Sequence, residues 1–177
     1  MDNRLTLTRH IDEDAAQQRL QRLGASAFEP AWVRLWAAGV GMPGGQPGAW
    51  LLSAQEMRRA LLLVGEALPT CADQPEAGIH IESGAPPSPA EWHRRWLWER
   101  MATPRHWRIQ VLETAPTPIW LPCWLGYRGG RQHRLMVISG LSGEPLSLLK
   151  PLVLTGLRQA YRDEQNTASR EPREKAG

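Results

Sequence analysis

The stretch from Ile119 to Lys150, IWLPCWLGYRGGRQHRLMVISGLSGEPLSLLK, decides how this chain folds. Its pattern predicts a strand over Ile119–Arg128, a turn across GGRQ, and a second strand over Arg134–Ser139. A helix is predicted next, over Leu146–Asp163, with a kink expected at Pro151. Side chains alternate along an extended strand. Ile119, Leu121, Cys123, Leu125 and Tyr127 therefore share one face, and Trp120, Pro122 and Trp124 share the other. Both faces are apolar and need cover. Pro122 cannot donate to a ladder, which points to an edge strand. The cover is either another part of the chain or another molecule.

Upstream, SPAEWHRRWLWERM predicts a helix. Ser88 caps it, Pro89 takes the first helical position and Glu91 reaches back. Trp92 and Trp96 sit one turn apart on it, with Arg94, Arg95 and Arg100 flanking. Trp98 falls elsewhere, so the aromatic arc is wider than one stripe. WRIQVLE, from Trp107, alternates like a strand. Pro69–Pro89 reads as a long loop in which IHIE pairs briefly.

Further toward the N-terminus, SAQEMRRALLLVGEAL carries Ser53 and Glu56 at capping-box spacing and apolar residues at helical spacing. It is expected to be a helix ending at Pro69. The glycines and prolines of GVGMPGGQPG predict an irregular loop. Asp12–Leu23 predicts a helix with Asp12 as its cap, acids in its first turn and Gly24 at its end. The Trp32/Trp36 pair leads into a Gly-rich turn, then Glu56 and a leucine-rich helix. Trp120/Trp124 lead into a similar turn, then Glu144 and a leucine-rich helix, so the two halves echo each other.

These elements predict an α+β protein: a small antiparallel sheet, made of a hairpin plus one or more strands, packed with three to four helices. The expected organisation is a helical lobe over 1–68, a linker or long loop over 69–88, an α+β lobe over 89–163, and a disordered tail over 164–177.

The 177 residues include nine Trp against two Tyr and one Phe, with a net charge of +3. Trp supplies buried area but its indole N–H wants an acceptor. So many in one chain imply a semi-exposed core or a binding surface. Arginine carries nearly all the positive charge, and its fork grips carboxylates and phosphates. Cys71 and Cys123 form no metal or redox motif. No secretory signal is recognised and no apolar run spans a bilayer, so a cytoplasmic location is expected.

No catalytic constellation emerges. The histidines and cysteines lack zinc spacing. GLSGE lacks nucleophile-elbow spacing, and the glycine-rich loop lacks the lysine of a phosphate cradle. Neither metal nor cofactor is expected.

In the opening stretch, Pro122, Trp124, Tyr127, Gly129, Val137, Gly140, Ser142, Gly143, Pro145 and Ser147 form a recognisable pattern. It resembles the hairpin segment of bacterial proteins that often carry an N-terminal TFIIB-type zinc ribbon. The ribbon has no counterpart here, because paired cysteines are missing. The resemblance implies a fold element and no activity.

Two functions remain. The leading one is a non-catalytic accessory or adaptor protein that docks a protein partner through a Trp/Arg-rich surface formed by Trp92, Arg95, Trp96, Trp120 and Trp124. The alternative is a nucleic-acid-binding module. It would use Arg128, Arg131 and Arg134 at the hairpin tip, with Tyr127 and Trp124 beside them.

Overall fold

A computed structural model describes residues 5–72, 75, 78–102, 108–129 and 134–170. Its centre is a pair of long strands distant in sequence. These are β2 (Ala27–Gly41) and β8 (Thr117–Arg128), which pair antiparallel from Ala27 opposite Tyr127 to Ala37 opposite Thr117. The outer edge of β8 is shared. β1 (Leu5–Leu7) runs parallel to it at Ile119 and Trp120, and β9 (Arg134–Ser139) runs antiparallel from Cys123 onward.

The outer edge of β2 is shared in the same way. β6 (Ile79–Ile81) lies parallel to Ala31–Val33, and β3 (Pro47–Ser53) lies antiparallel to Trp36–Gly41. β4 (Leu61–Val64) extends the sheet beyond β3, β5 (Thr70–Cys71) beyond β1, and β7 (Gln110–Val111) pairs with the end of β2. The described residues thus form one mixed, nine-stranded sheet. The expectation of a small antiparallel sheet is corrected by this. Three α-helices accompany it: α1 (Glu13–Arg22), α2 (Pro89–Ala102) and α3 (Lys150–Arg170). None is long and apolar enough to cross a membrane, among the described residues.

β8 is central, although Pro122 pointed to an edge. In a strand, a residue's N–H and C=O face the same side. The Pro122 carbonyl accepts from Gly140 N–H at 2.7 Å, on the β9 side. The missing donor therefore faces the seam where β1 has ended and β9 begins. Pro118 and Pro30 fall on the same alternation, opposite Trp36 and Trp124. All three prolines occupy non-hydrogen-bonded positions of the β2–β8 ladder, so it loses no bond to them.

The hairpin β8–β9, the α1 helix with its Asp12 cap, the pairing of IHI and the α2 start lie where the sequence placed them. The segment 53–68 does not. Ser53 ends β3, its hydroxyl bonding Arg59 O at 3.0 Å, and Leu61–Val64 are strand. Glu56 accepts from Gly84 N–H at 2.7 Å instead of capping a helix. A four-residue apolar run beside a free sheet edge gains more from the ladder than helix propensity offers. Residues 27–64 thus hold β2, β3 and β4 and no helix, and β2 pairs directly with β8 from the second half of the chain.

The glycine-rich segment is also more regular than expected. β2 continues to Gly41 and β3 starts at Pro47, leaving a short connection. A Cβ on Gly41 would sit 2.6 Å from Gln46 O, so only glycine admits this approach. WRIQVLE contributes strand only at Gln110–Val111, with Trp107 outside the described residues. A 3₁₀ turn over Ser147–Leu149 precedes α3. That helix continues through residues 164–170, which the composition had assigned to a disordered tail.

The two apolar faces of β2 and β8 are both covered. On one, Val33, Leu35, Leu121, Cys123 and Leu125 join Leu149, Leu152 and Val153 under the start of α3. On the other, α1 packs Ala16 and Leu20 on Trp124 and Ile138, while α2 packs Trp92 and Trp96 on Ala38, Val40 and Leu51. A Cβ on Gly126 would lie 2.7 Å from the Leu20 side chain, which shows how closely α1 approaches β8.

The echo between Trp32/Trp36 and Trp120/Trp124 has a structural counterpart. Equating these pairs superposes the parallel contact of β6 at Ala31 and Trp32 on that of β1 at Ile119 and Trp120. It also places the β3 contact from Trp36 on the β9 contact around Trp124. The units β1–α1–β2–β3 and β6–α2–β8–β9 are related by an approximate two-fold across the β2–β8 ladder. Each unit lends its short first strand and its helix to the other's hairpin. The echo fails after that, because β4 stands where the second unit continues into α3.

Candidate docking surface

α2 starts as its sequence demands. Glu91 N–H donates to the Ser88 hydroxyl at 3.3 Å, and that hydroxyl donates back to Glu91 Oε1 at 3.1 Å. Arg95 reaches Glu91 Oε2 at 3.3 Å. Desolvation pushes the Glu91 carboxyl upward, but Ser88 and the Arg95 guanidinium outweigh it and hold the group below the usual carboxylate value.

Arg95 is a fastening, not a surface residue. It is 5% exposed and donates to the carbonyls of Ala54, at 3.3 Å, and Met57. It ties α2 to the β3–β4 connection. Arg59 strengthens the same junction through Glu99 at 3.6 Å.

The other residues expected at a partner surface are also buried. Trp92 and Trp96 are each 3% exposed, Trp124 is 5% and Trp120 is 6%. Trp96 donates its indole N–H to Ile109 O at 2.8 Å and Trp124 to Ile11 O at 2.9 Å. Arg9 lies 4.7 Å from the ring centroids of both Trp32 and Trp124, and it bonds the carbonyls of Cys123 and Ala31. Trp120 meets His80 edge to face at 5.2 Å. These aromatics bury area inside the fold, and Trp96 and Trp124 satisfy their N–H groups there while those of Trp32 and Trp92 are buried without an acceptor. A Trp-rich sequence need not mean a Trp-rich surface.

One tryptophan among the described residues is different. Trp98 is 61% exposed, and Leu97 at 45% and Met101 at 70% stand beside it. Arg94, Leu97, Trp98 and Met101 recur at the spacing of a single helix face. That face points away from the sheet. Sequence reasoning named Trp92 and Trp96 instead; the signal that Trp98 is the exposed one was its position off their stripe.

The approximate two-fold supplies an internal comparison. α1 covers one hairpin as α2 covers the other, yet the outer residues of α1 are Glu13, Asp14, Gln17, Gln18, Gln21 and Arg22. The packing role therefore does not require an apolar outer face. The chain matches no family model, no curated protein and no solved structure.

Arg128 and Arg134 are cross-strand partners and both exposed. Arg131 lies outside the described residues. The Tyr127 hydroxyl donates to Glu29, and burial with that carboxylate's charge pushes the phenol well upward. A half-buried, anchored ring is a poor stacking platform, and Trp124 is enclosed by Arg9 and α1.

Cys123 is fully enclosed. Burial pushes its thiol up to about 12 despite the opposing charge of Arg9. It has no nucleophilic character at neutral pH. The cleft between β6 and α3, about 550 Å³, carries Glu56, His80, Glu82 and Asp163. Glu82 is paired with Arg34 at 3.1 Å. Among the described residues, no three His, Cys, Asp or Glu side chains converge as metal ligands do.

Proposed function

We propose that this protein is a non-catalytic adaptor that docks a partner protein on the outer face of α2, through Leu97, Trp98 and Met101 with Arg94 beside them. One observation carries the reading: α2 exposes three adjoining large apolar side chains, whereas Glu13–Arg22 of its structural counterpart α1 exposes only polar ones, with Leu23 exposed at the C-cap. Exposed Trp with adjacent Arg is the composition of interface anchors. The surface differs from the one expected from sequence, but the class of function is the same.

The test is Trp98→Ala together with Met101→Ala, read by partner capture and thermal unfolding. Capture should fall at least tenfold while the melting temperature stays within the range of a surface substitution. Undiminished capture would exclude this face. Nuclease treatment in parallel separates a protein partner from nucleic acid held by the Arg128–Arg134 hairpin.

A further inference from the structure

The charge around the α2 face has a direction. Each of its two acids is turned toward the protein's own body: Glu91 to Arg95 and Glu99 to Arg59. Outward stand His93 and Arg94, with Arg58 exposed on the connection that Arg95 and Arg59 fasten to the helix. Between α2 and β7 lies a cleft of about 300 Å³, lined by His93, Arg94, Trp96, Leu97, Arg100 and Gln110. Several of these carry N–H donors on flexible or ring side chains at the cleft wall, and among the described residues no carboxylate lines it.

We infer that the segment docked on α2 is an acidic amphipathic helix, with an apolar row seated on Leu97, Trp98 and Met101 and carboxylates directed at His93 and Arg94. This rests on the docking reading above and adds the partner's chemistry. Leu97 and Trp98, with Met101 one turn on, make a short apolar strip along α2 that the apolar row of an amphipathic helix can match. Arginine forks bind carboxylates in two-pronged fashion. A basic rim also repels basic competitors and steers acidic ones. Phosphate-bearing surfaces share the charge preference but offer no row of apolar side chains to this strip.

The probes are two labelled 16-residue peptides with leucines on one helical face. One carries glutamates on its polar face and the other lysines. Vesicles of phosphatidylglycerol and phosphatidylcholine and a single-stranded 20-mer complete the set, all titrated against the full chain. The glutamate peptide should bind at least tenfold tighter than the lysine peptide. Arg94→Glu should remove that preference and Trp98→Ala should weaken both peptides. Equal binding of the two peptides, tighter binding of vesicles or oligonucleotide, or no binding of the glutamate peptide up to millimolar concentration would each overturn the acidic partner. Partner capture lost in Trp98→Ala but unchanged in Arg94→Glu would overturn the charge inference and leave the docking reading standing. Capture unchanged in Trp98→Ala would remove both.

Discussion

At the scale of single residues, chemistry that looks functional in the sequence is mostly internal. Trp124 contacts Phe28, carries Arg9 on its ring and donates to a backbone carbonyl. Trp124→Ala should cost about 3–5 kcal/mol, whereas Trp98→Ala should stay within about 0.5 kcal/mol. Denaturant titration of the two variants checks the contrast, and similar losses would refute this assignment of inside and outside. Arg95→Met should destabilise by about 3 kcal/mol, because it leaves buried carbonyls and a carboxylate without their donor. The thiols differ as sharply. A thiol reagent should modify the partly exposed Cys71 before Cys123, which should react only on unfolding. Cys123 also sets a pH dependence. Its folded value is raised, so its contribution is complete below about pH 8.5 and is lost as pH rises toward about 12. Cys123→Val should flatten part of that alkaline decline, which Tyr127 shares in direction.

At the scale of elements, α2 is the clearest case of local sequence dictating local structure. Ser88→Ala should cost about 1 kcal/mol through loss of the cap. Glu91 has the opposite sign to Cys123. Its folded value is depressed, so its contribution is present above the ordinary carboxylate value and fades as pH falls through the lower folded one. Glu91→Gln should flatten the acid limb of a stability profile, and an unchanged limb would count against the Ser88–Glu91–Arg95 arrangement. α3 divides into two parts. Leu152 and Val153 are buried, while every residue from Arg158 to Arg170 is exposed. Deleting residues 158–177 should therefore leave the melting temperature nearly unchanged.

For the whole molecule, stability is concentrated where the two units meet. β2 and β8 each have neighbours on both edges and are covered on both faces. Their amides should exchange most slowly, and those beyond Arg158 fastest. Leu121→Ala, at the centre of this ladder, should cost about 2–5 kcal/mol and lower protection in both units together. Loss of protection in one unit alone would show that the halves are independent.

The sequence by itself determined the elements whose signals are local. Asp12 and Ser88 marked helix starts, and alternation around Cys123 marked a strand. These need only neighbours along the chain. The tertiary structure alone decided the rest. Leu61–Val64 became strand because β3 offered an edge, and Pro122 entered a central strand because its missing N–H faced a seam. Trp92, Arg95 and Trp96 went inside, and Trp98 stayed out, because α2 packs by its position against β2 and β3, while Trp124 is covered by α1 and Trp120 meets His80. Sequence periodicity says that a helix has a face. Which face is buried depends on what stands opposite, and here that partner is a pair of strands far away along the chain.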